Sequence, residues 1–99
     1  MKLTIVVPAD HPSLSGHFPG QPIAPGVLLL DMIAAEIRRA HSGARLMSIP
    51  VAKFHRAVKP GEAVDVTVDI ETEAAKLRAR FMAETQGLAV AEGSFLFQG

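Results

Sequence analysis

Two residues in the first third of this 99-residue sequence have side chains suited to proton transfer. His17 lies in the segment GHFPG, residues 16–20, and Asp31 is the lone charge in the first half of an apolar segment, residues 25–40. Histidine is the usual general base in enzymes, and a carboxyl group among aliphatic side chains should be desolvated, which favours its protonated form. One side chain would accept a proton while the other donates one.

The apolar segment is predicted to be a helix that begins beside this pair. Pro25 suits the first helical position, and the backbone N–H groups of Gly26 and Val27 then have no partner within the helix. A carbonyl oxygen placed there would be polarised by these donors and by the positive end of the helix dipole. A base, an acid and such a site together suit removal of a proton next to a carbonyl and loss of a hydroxyl from the next carbon, a β-elimination of water.

Both side chains also have structural interpretations. A histidine in a proline-rich loop is more often a hydrogen-bonded structural residue than a base. An aspartate on a buried helix avoids the cost of an unpaired charge if it caps backbone groups or forms a salt bridge in a dimer. From the residues alone, these alternatives to the chemistry of His17 and Asp31 stay open.

Composition and charge exclude several classes of function. Ten basic and ten acidic residues give a net charge of zero, with no long basic run, so neither nucleic acid nor an anionic membrane is an expected partner. The absence of cysteine excludes a disulfide scaffold, a thiolate zinc site, an iron–sulfur cluster and a cysteine nucleophile. Because His11, His41 and His55 lack metal-ligand spacing, we expect no metal, no cofactor, and an ordinary surface or strand role for these histidines.

The N-terminal residues and the hydropathy pattern predict a cytoplasmic protein. The apolar stretch after Lys2 meets Pro8 and Asp10 at once, too early for a signal peptide, and no run of apolar residues is long enough to span a membrane. The length predicts a single domain over residues 1–99.

The order of predicted elements favours an α+β fold. We expect a strand over residues 2–7, a long proline- and glycine-rich loop, the helix, and then β structure over residues 45–58, 63–71, 77–84 and 88–97. Pro50 predicts an edge strand or a bulge. The helix is apolar nearly all round, so we expect one curved antiparallel sheet wrapped around it. Pairing of an exposed strand with a second copy would enlarge the thin core, which predicts a dimer.

Charges in neighbouring strands predict a register. Acidic Asp65, Asp69 and Glu71 are expected opposite basic Lys76, Arg78 and Arg80 across a hairpin. A tight turn is expected at Gln86 and Gly87.

The run GHFPGQPIAPGVLLLD, residues 16–31, resembles the signature of the hotdog-fold 3-hydroxyacyl-[acyl-carrier-protein] dehydratases, without a gap. The segment KFHRAVKPGE, residues 53–62, resembles a second block of that family, and the order of elements matches from residue 2 to about residue 97. The resemblance implies a hotdog fold that dimerises into a double hotdog. It also implies dehydration of a 3-hydroxyacyl thioester to a trans-2-enoyl thioester in fatty-acid synthesis or a related acyl or polyene pathway.

The resemblance assigns a role to each matching residue. His17 would be the base at the α-carbon, and Asp31 would donate a proton to the departing β-hydroxyl or hold a water for it. Gly26 would give its N–H to the thioester carbonyl, and the backbone carbonyl of Ile23 would orient the His17 ring. In this family the histidine and the acid of one site come from different subunits, so a homodimer or a higher homo-oligomer would be a condition for catalysis.

The substrate and its carrier would contact further residues. The acyl chain would pass an apolar group made of Phe18, Ile23, Pro25, Val27 and Phe54, although at least one of the two phenylalanines is expected to be plain core. An acidic acyl carrier protein, bearing the substrate on phosphopantetheine, would dock on basic residues that are otherwise simply solvated: Arg38, Arg39, Lys53, Arg56 and Lys59.

One departure from the family leaves two alternatives open. The family commonly has a glutamine one helical turn after the acid, where this chain has Ala35, so Asp31 would lose a hydrogen-bond partner. The chain is then either a dehydratase or a non-catalytic acyl-binding partner subunit of one. A hotdog acyl thioesterase, with Asp31 activating water at the same carbonyl, is the other alternative. With aspartate at position 31, the chain resembles the branch of the family that also isomerises acyl chains. Its compact length does not resemble that branch, so isomerisation is not inferred.

Overall fold

A computed structural model describes residues 1–8 and 26–99 of the chain. In this part of the chain the elements are one helix and five strands, in the order β1 (Lys2–Val6), α1 (Gly26–Ala40), β2 (Arg45–Phe54), β3 (Ala63–Glu73), β4 (Lys76–Thr85) and β5 (Leu88–Gln98). The predicted α+β class and the predicted order of elements are confirmed.

The five strands form a single antiparallel sheet. Their order across the sheet is β1-β3-β4-β5-β2, so β1 and β2 are the two edges. Two-residue turns join β3 to β4 and β4 to β5. Gln86 and Gly87 both have positive φ, 51° and 77°, which confirms the tight turn predicted there. The other turn places Ala74 at a φ of 54°, a conformation that alanine rarely adopts.

One face of the sheet carries the core. The alternation predicted for β3 and β4 is confirmed, because every second residue from Val64 to Val68 and from Leu77 to Ala83 is buried. On β5 the ring of Phe95 stacks on that of Phe81 with centroids 5.1 Å apart. The helix covers this face with five buried residues: Leu29, Leu30, Ile33, Ala34 and Ile37.

The sheet packs against one face of α1, as predicted, and the outward face of the helix is exposed in this single chain. Val27 is 76% exposed, and Asp31, one turn later, is exposed as well. A helix on one sheet buries a single stripe of its surface, and the described part of the chain has no second layer to cover the opposite stripe. Apolar composition alone does not reveal this difference between the two faces.

Strand β2 is an edge strand with bulges, as Pro50 predicts. Its pairing with β5 shifts register between Leu46 and Ser48 and again between Ser48 and Val51. The strand ends at Phe54 rather than at the predicted residue 58, because the backbone N–H groups of His55 and Arg56 both turn to the carbonyl oxygen of Val90, at 2.7 and 3.3 Å. Nearly all of β2 is exposed.

The predicted charge register holds for two of the three acids. Asp69 pairs with Arg80 and Glu71 with Arg78 across β3 and β4. Asp65 does not oppose a basic residue, because this register places it opposite Glu84. Its carboxylate instead accepts a hydrogen bond of 3.2 Å from the hydroxyl of Thr4 on β1.

Candidate active site

The structure brings together two of the predicted site residues, Gly26 and Phe54. Gly26 begins α1, where the backbone N–H groups of the first turn have no partner within the helix. Phe54 ends β2, and a Cβ built on Gly26 would lie only 2.6 Å from its Cε1 and 2.8 Å from its Cζ. The ring therefore occupies the space that a side chain at position 26 would need. Any side chain at position 26 would therefore require the Phe54 ring to shift.

The backbone around Phe54 is held on both sides. Phe54 pairs with Ala91 of β5, which puts its side chain on the helix-facing side of the sheet together with Ala83. Directly after it, the two N–H groups bonded to the Val90 oxygen fix the chain, and the His55 Nε2 lies 3.0 Å from the Glu92 Oε2. Sequence reasoning treated His55 as an ordinary surface or strand residue and missed this contact, since it depends on the β2–β5 register.

Asp31 lies on the outward face of the helix. It is five residues beyond Gly26, about 7.5 Å along the axis at 1.5 Å per residue. It is four positions from Val27 and four from Ala35, so the three side chains share one stripe. The expectation that Asp31 is desolvated by neighbouring aliphatic side chains is wrong for the described part of the chain, because Leu29, Leu30 and Ile33 point to the sheet and Asp31 points away from it.

Four of the predicted site residues lie outside the described residues: His17, Phe18, Ile23 and Pro25. The distance from His17 to Asp31 and the orientation of the Ile23 carbonyl are therefore not described. Of the predicted catalytic and substrate-binding residues, the structure places Gly26, Val27, Asp31 and Phe54 around the first half of α1.

The five basic residues predicted to dock a carrier protein form two groups. Arg38 and Arg39 are in the last turn of α1, where Arg39 Nη1 lies 3.2 Å from Glu36 Oε1. The other three, Lys53, Arg56 and Lys59, are exposed at the end of β2 and just after it. Lys53 precedes Phe54 in the strand, so its side chain is on the face of the sheet opposite to that of Phe54. Twelve helical residues separate Gly26 from Arg38, which is about 18 Å.

The described residues were also compared with the requirements of a metal site and of a membrane-spanning helix. Within residues 1–8 and 26–99, no three histidine, aspartate or glutamate side chains are grouped to hold a metal ion. The same part of the chain has no helix with the length and apolar character needed to cross a membrane. A surface cavity of about 610 Å³, lined by Glu71, Lys76 and Arg78 among others, is at the β3–β4 turn and does not include Gly26, Phe54 or Asp31.

Comparison with solved structures establishes the class of fold. The chain is similar to a fluoroacetyl-CoA-specific thioesterase, FlK, with a TM-score of 0.81 and 17% identity, covering 99% of this chain and 87% of that one. It is also similar to the dehydratase heterocomplex ApeI:P from Xenorhabdus doucetiae, with a TM-score of 0.79 and 21% identity, covering 99% and 86%. At these identities the likeness shows the fold alone, which is the predicted hotdog fold.

Comparison of sequences establishes the family. Residues 1–94 match the ApeI-like family, described as ApeI dehydratase, and the chain belongs to that family. It is 32% identical over 101 residues to the 3-hydroxyacyl-[acyl-carrier-protein] dehydratase FabZ of Myxococcus xanthus. This alignment covers 91% of the present chain and 66% of that protein. The chain thus spans slightly less than two thirds of the length of this relative. The resemblance predicted from residues 16–31 is confirmed at the level of the family.

Proposed function

We propose that this protein is a dehydratase that converts a 3-hydroxyacyl thioester, carried by an acyl carrier protein, into a trans-2-enoyl thioester. The observation that carries the proposal is the family match over residues 1–94, a range that includes His17, Gly26 and Asp31. The position of Gly26 at the start of α1, beside an aromatic ring and with Asp31 further along the same helix, supports it.

The reaction follows from the chemistry of these groups. His17 removes a proton from the carbon next to the thioester carbonyl, and negative charge builds on the carbonyl oxygen, where the N–H of Gly26 and the helix dipole stabilise it. The double bond forms as the bond from the next carbon to its hydroxyl breaks, and Asp31 gives that hydroxyl a proton so that it leaves as water. Exchange with solvent then returns a proton from His17 to Asp31. The backbone carbonyl of Ile23 holds the His17 ring in position.

A homodimer is part of the proposal. Strand β2 is exposed at one edge of the sheet, and its large apolar side chains include Met47, Ile49 and Val51. An exposed apolar edge favours pairing with another chain. A second copy would also provide cover for Asp31, which the described part of this chain leaves exposed. It would supply the second of two sites in which His17 of one subunit meets Asp31 of the other.

The carrier protein would dock near the start of α1. Lys53, Arg56 and Lys59 are exposed and lie within five residues of Phe54 along the chain, and an acidic partner bound to them would bring its phosphopantetheine arm towards the ring that contacts Gly26. Arg38 and Arg39 are about 18 Å further along the helix. They would therefore contact only the part of the carrier protein that is farthest from Gly26. The cytoplasmic location predicted from the sequence stays a prediction.

A non-catalytic partner subunit is the second candidate. Ala35 lies one turn after Asp31 on the same stripe of the helix and has no polar group to orient the carboxyl. Similarity to a chain of a dehydratase heterocomplex is compatible with this alternative. The thioesterase alternative is supported by the similarity of fold to FlK. It is not supported by any residue other than those already assigned to the dehydratase reaction.

The test is formation of the conjugated enoyl thioester, followed by its ultraviolet absorbance, from a 3-hydroxyacyl carrier protein. We expect His17→Ala and Asp31→Asn each to lower kcat/KM by about 100-fold or more, the usual contribution of a general acid or base. Glu36→Gln is the matched control, because Glu36 is a carboxylate of the same helix that contacts Arg39 instead, and it should keep wild-type activity. Unchanged turnover in His17→Ala would refute the mechanism. Release of free thiol without enoyl absorbance would favour a thioesterase, and activity only after mixing with a related dehydratase would favour a partner subunit.

A further inference from the structure

We propose that Phe54 is a specificity residue that restricts the site to acyl thioesters with no branch on the carbon next to the carbonyl. The inference rests on the proposed function, since it takes the N–H of Gly26 as the group that receives the thioester carbonyl. It adds a limit on the substrate that the chemistry of His17 and Asp31 does not impose.

The position of the Phe54 ring relative to the helix start carries this inference. Three ring carbons, Cε1, Cζ and Cδ1, lie 2.6, 2.8 and 3.0 Å from the place where a Cβ of residue 26 would be. In an α-helix the Cα–Cβ bond tilts towards the N-terminus, the direction in which the free N–H groups of the first turn also point. The ring therefore borders the space in front of the Gly26 N–H.

A bound thioester would meet the ring with its first carbons. A carbonyl oxygen about 2.9 Å from the Gly26 nitrogen has its own carbon only about 1.2 Å further away, and the substituents of that carbon flank it on both sides. On one flank they face Phe54. The carbonyl carbon and its neighbour become coplanar in the enolate and in the enoyl product, so a substituent on the neighbouring carbon stays in that plane. A methyl branch on the neighbouring carbon adds bulk on that flank, where even a methyl group on Gly26 would require the ring to shift.

The backbone of Phe54 cannot easily withdraw to make room. It is paired with Ala91 before the end of β2, and the next two N–H groups are bonded to the Val90 oxygen. The contact between His55 and Glu92 adds a third attachment immediately after the ring. The side chain is half exposed, so it is available to a ligand as a wall of the site.

The test compares two thioesters that lack the hydroxyl and so cannot be dehydrated, butyryl-pantetheine and 2-methylbutyryl-pantetheine, by calorimetric titration. We expect the wild-type protein to bind the unbranched thioester about 10-fold more tightly or better, the range for one misplaced methyl group. Phe54→Ala should reduce this preference to less than about 3-fold, mainly by improving binding of the branched compound. Phe54→Leu should reduce it in part and gives a second variant if alanine impairs folding. Leu88→Ala, which truncates another half-exposed apolar residue, is the matched control and should keep the wild-type preference.

The outcomes separate this inference from the proposed function when 3-hydroxybutyryl-pantetheine turnover is measured on the same samples. If turnover is observed but Phe54→Ala keeps the wild-type preference for the unbranched thioester, the inference alone is overturned. The same holds if the wild-type protein turns over its substrate but binds both thioesters equally. A preference lost in Phe54→Ala, without any turnover, would support the inference and contradict the dehydratase. Failure of both thioesters to bind would overturn the inference, and absence of turnover in the same samples would contradict the dehydratase as well.

Discussion

The two edges of the sheet are built differently. Strand β1 pairs with β3 in one unbroken register from Lys2 to Val6, and its inward residue Ile5 is only 3% exposed. After the strand, the carbonyl oxygen of Val7 accepts a hydrogen bond of 2.9 Å from Gly61. Strand β2 is twice as long, pairs with β5 in a register broken by two shifts, and leaves almost every side chain exposed.

The two edges therefore differ in how much of their apolar surface is buried within a single chain. The β1 edge contributes Ile5 to the core of its own chain and exposes Lys2, Thr4 and Val6. The β2 edge combines an apolar exterior with the end of the strand that holds Phe54 against Gly26. The exposed β2 edge thus ends at the candidate site, so the proposed dimer and the proposed activity would depend on neighbouring parts of the chain.

A matched pair of isoleucines offers the largest test of this comparison. Ile5→Ala in β1 should lower the free energy of unfolding by about 2–5 kcal/mol, because it leaves a cavity in the core. Ile49→Ala in β2, at a residue that is 38% exposed, should change it by less than about 0.5 kcal/mol. Denaturant unfolding followed by circular dichroism, at protein concentrations low enough to dissociate a dimer, measures both. Equal losses at the two positions would contradict the difference between the edges.

Two exposed valines test whether β2 forms the proposed interface. Val6 on β1 and Val51 on β2 are 45% and 43% exposed. Val51→Lys should weaken self-association by about 100-fold, or about 2.7 kcal/mol, because an interface would have to bury the ammonium group. Val6→Lys should leave it unchanged. Sedimentation equilibrium over a range of concentrations measures the association, and enoyl formation in the same samples should fall with the dimer. Identical behaviour of the two variants would place the interface elsewhere.

The regular part of the fold was predictable because its signals are local. Alternating valines mark β3, Gln86 and Gly87 mark a turn, and Pro50 marks an edge strand, each from a few neighbouring residues. The orientation of Asp31 was not predictable in this way. Both faces of α1 carry aliphatic residues, and only the position of the single sheet decides which face is covered.

The family was predictable from the candidate site residues, but the contacts of those residues were not. The spacing of His17, Gly26 and Asp31 indicated the family, and the family is confirmed. The packing of Phe54 on Gly26 and the contact of His55 with Glu92 join residues that are far apart in the sequence, and they depend on the bulged β2–β5 register. No local pattern encodes that register, since each bulge changes which residues of β2 face the helix.

The turn between β3 and β4 provides the smallest expected effect and a baseline for the comparison of the edges. Ala74 has a φ of 54°, and an L-residue with a side chain in this left-handed conformation costs about 1–2 kcal/mol relative to its usual conformations. Ala74→Gly removes that cost but gives the unfolded chain more freedom, so a net gain of about 0.5–1 kcal/mol in the free energy of unfolding is expected. Because the turn belongs to neither edge strand, self-association should not change. Denaturant unfolding of Ala74→Gly measures the free energy of unfolding, and sedimentation equilibrium measures self-association. If the gain in stability is accompanied by a change in self-association, then association depends on the stability of the whole fold and not on the residues of the β2 edge.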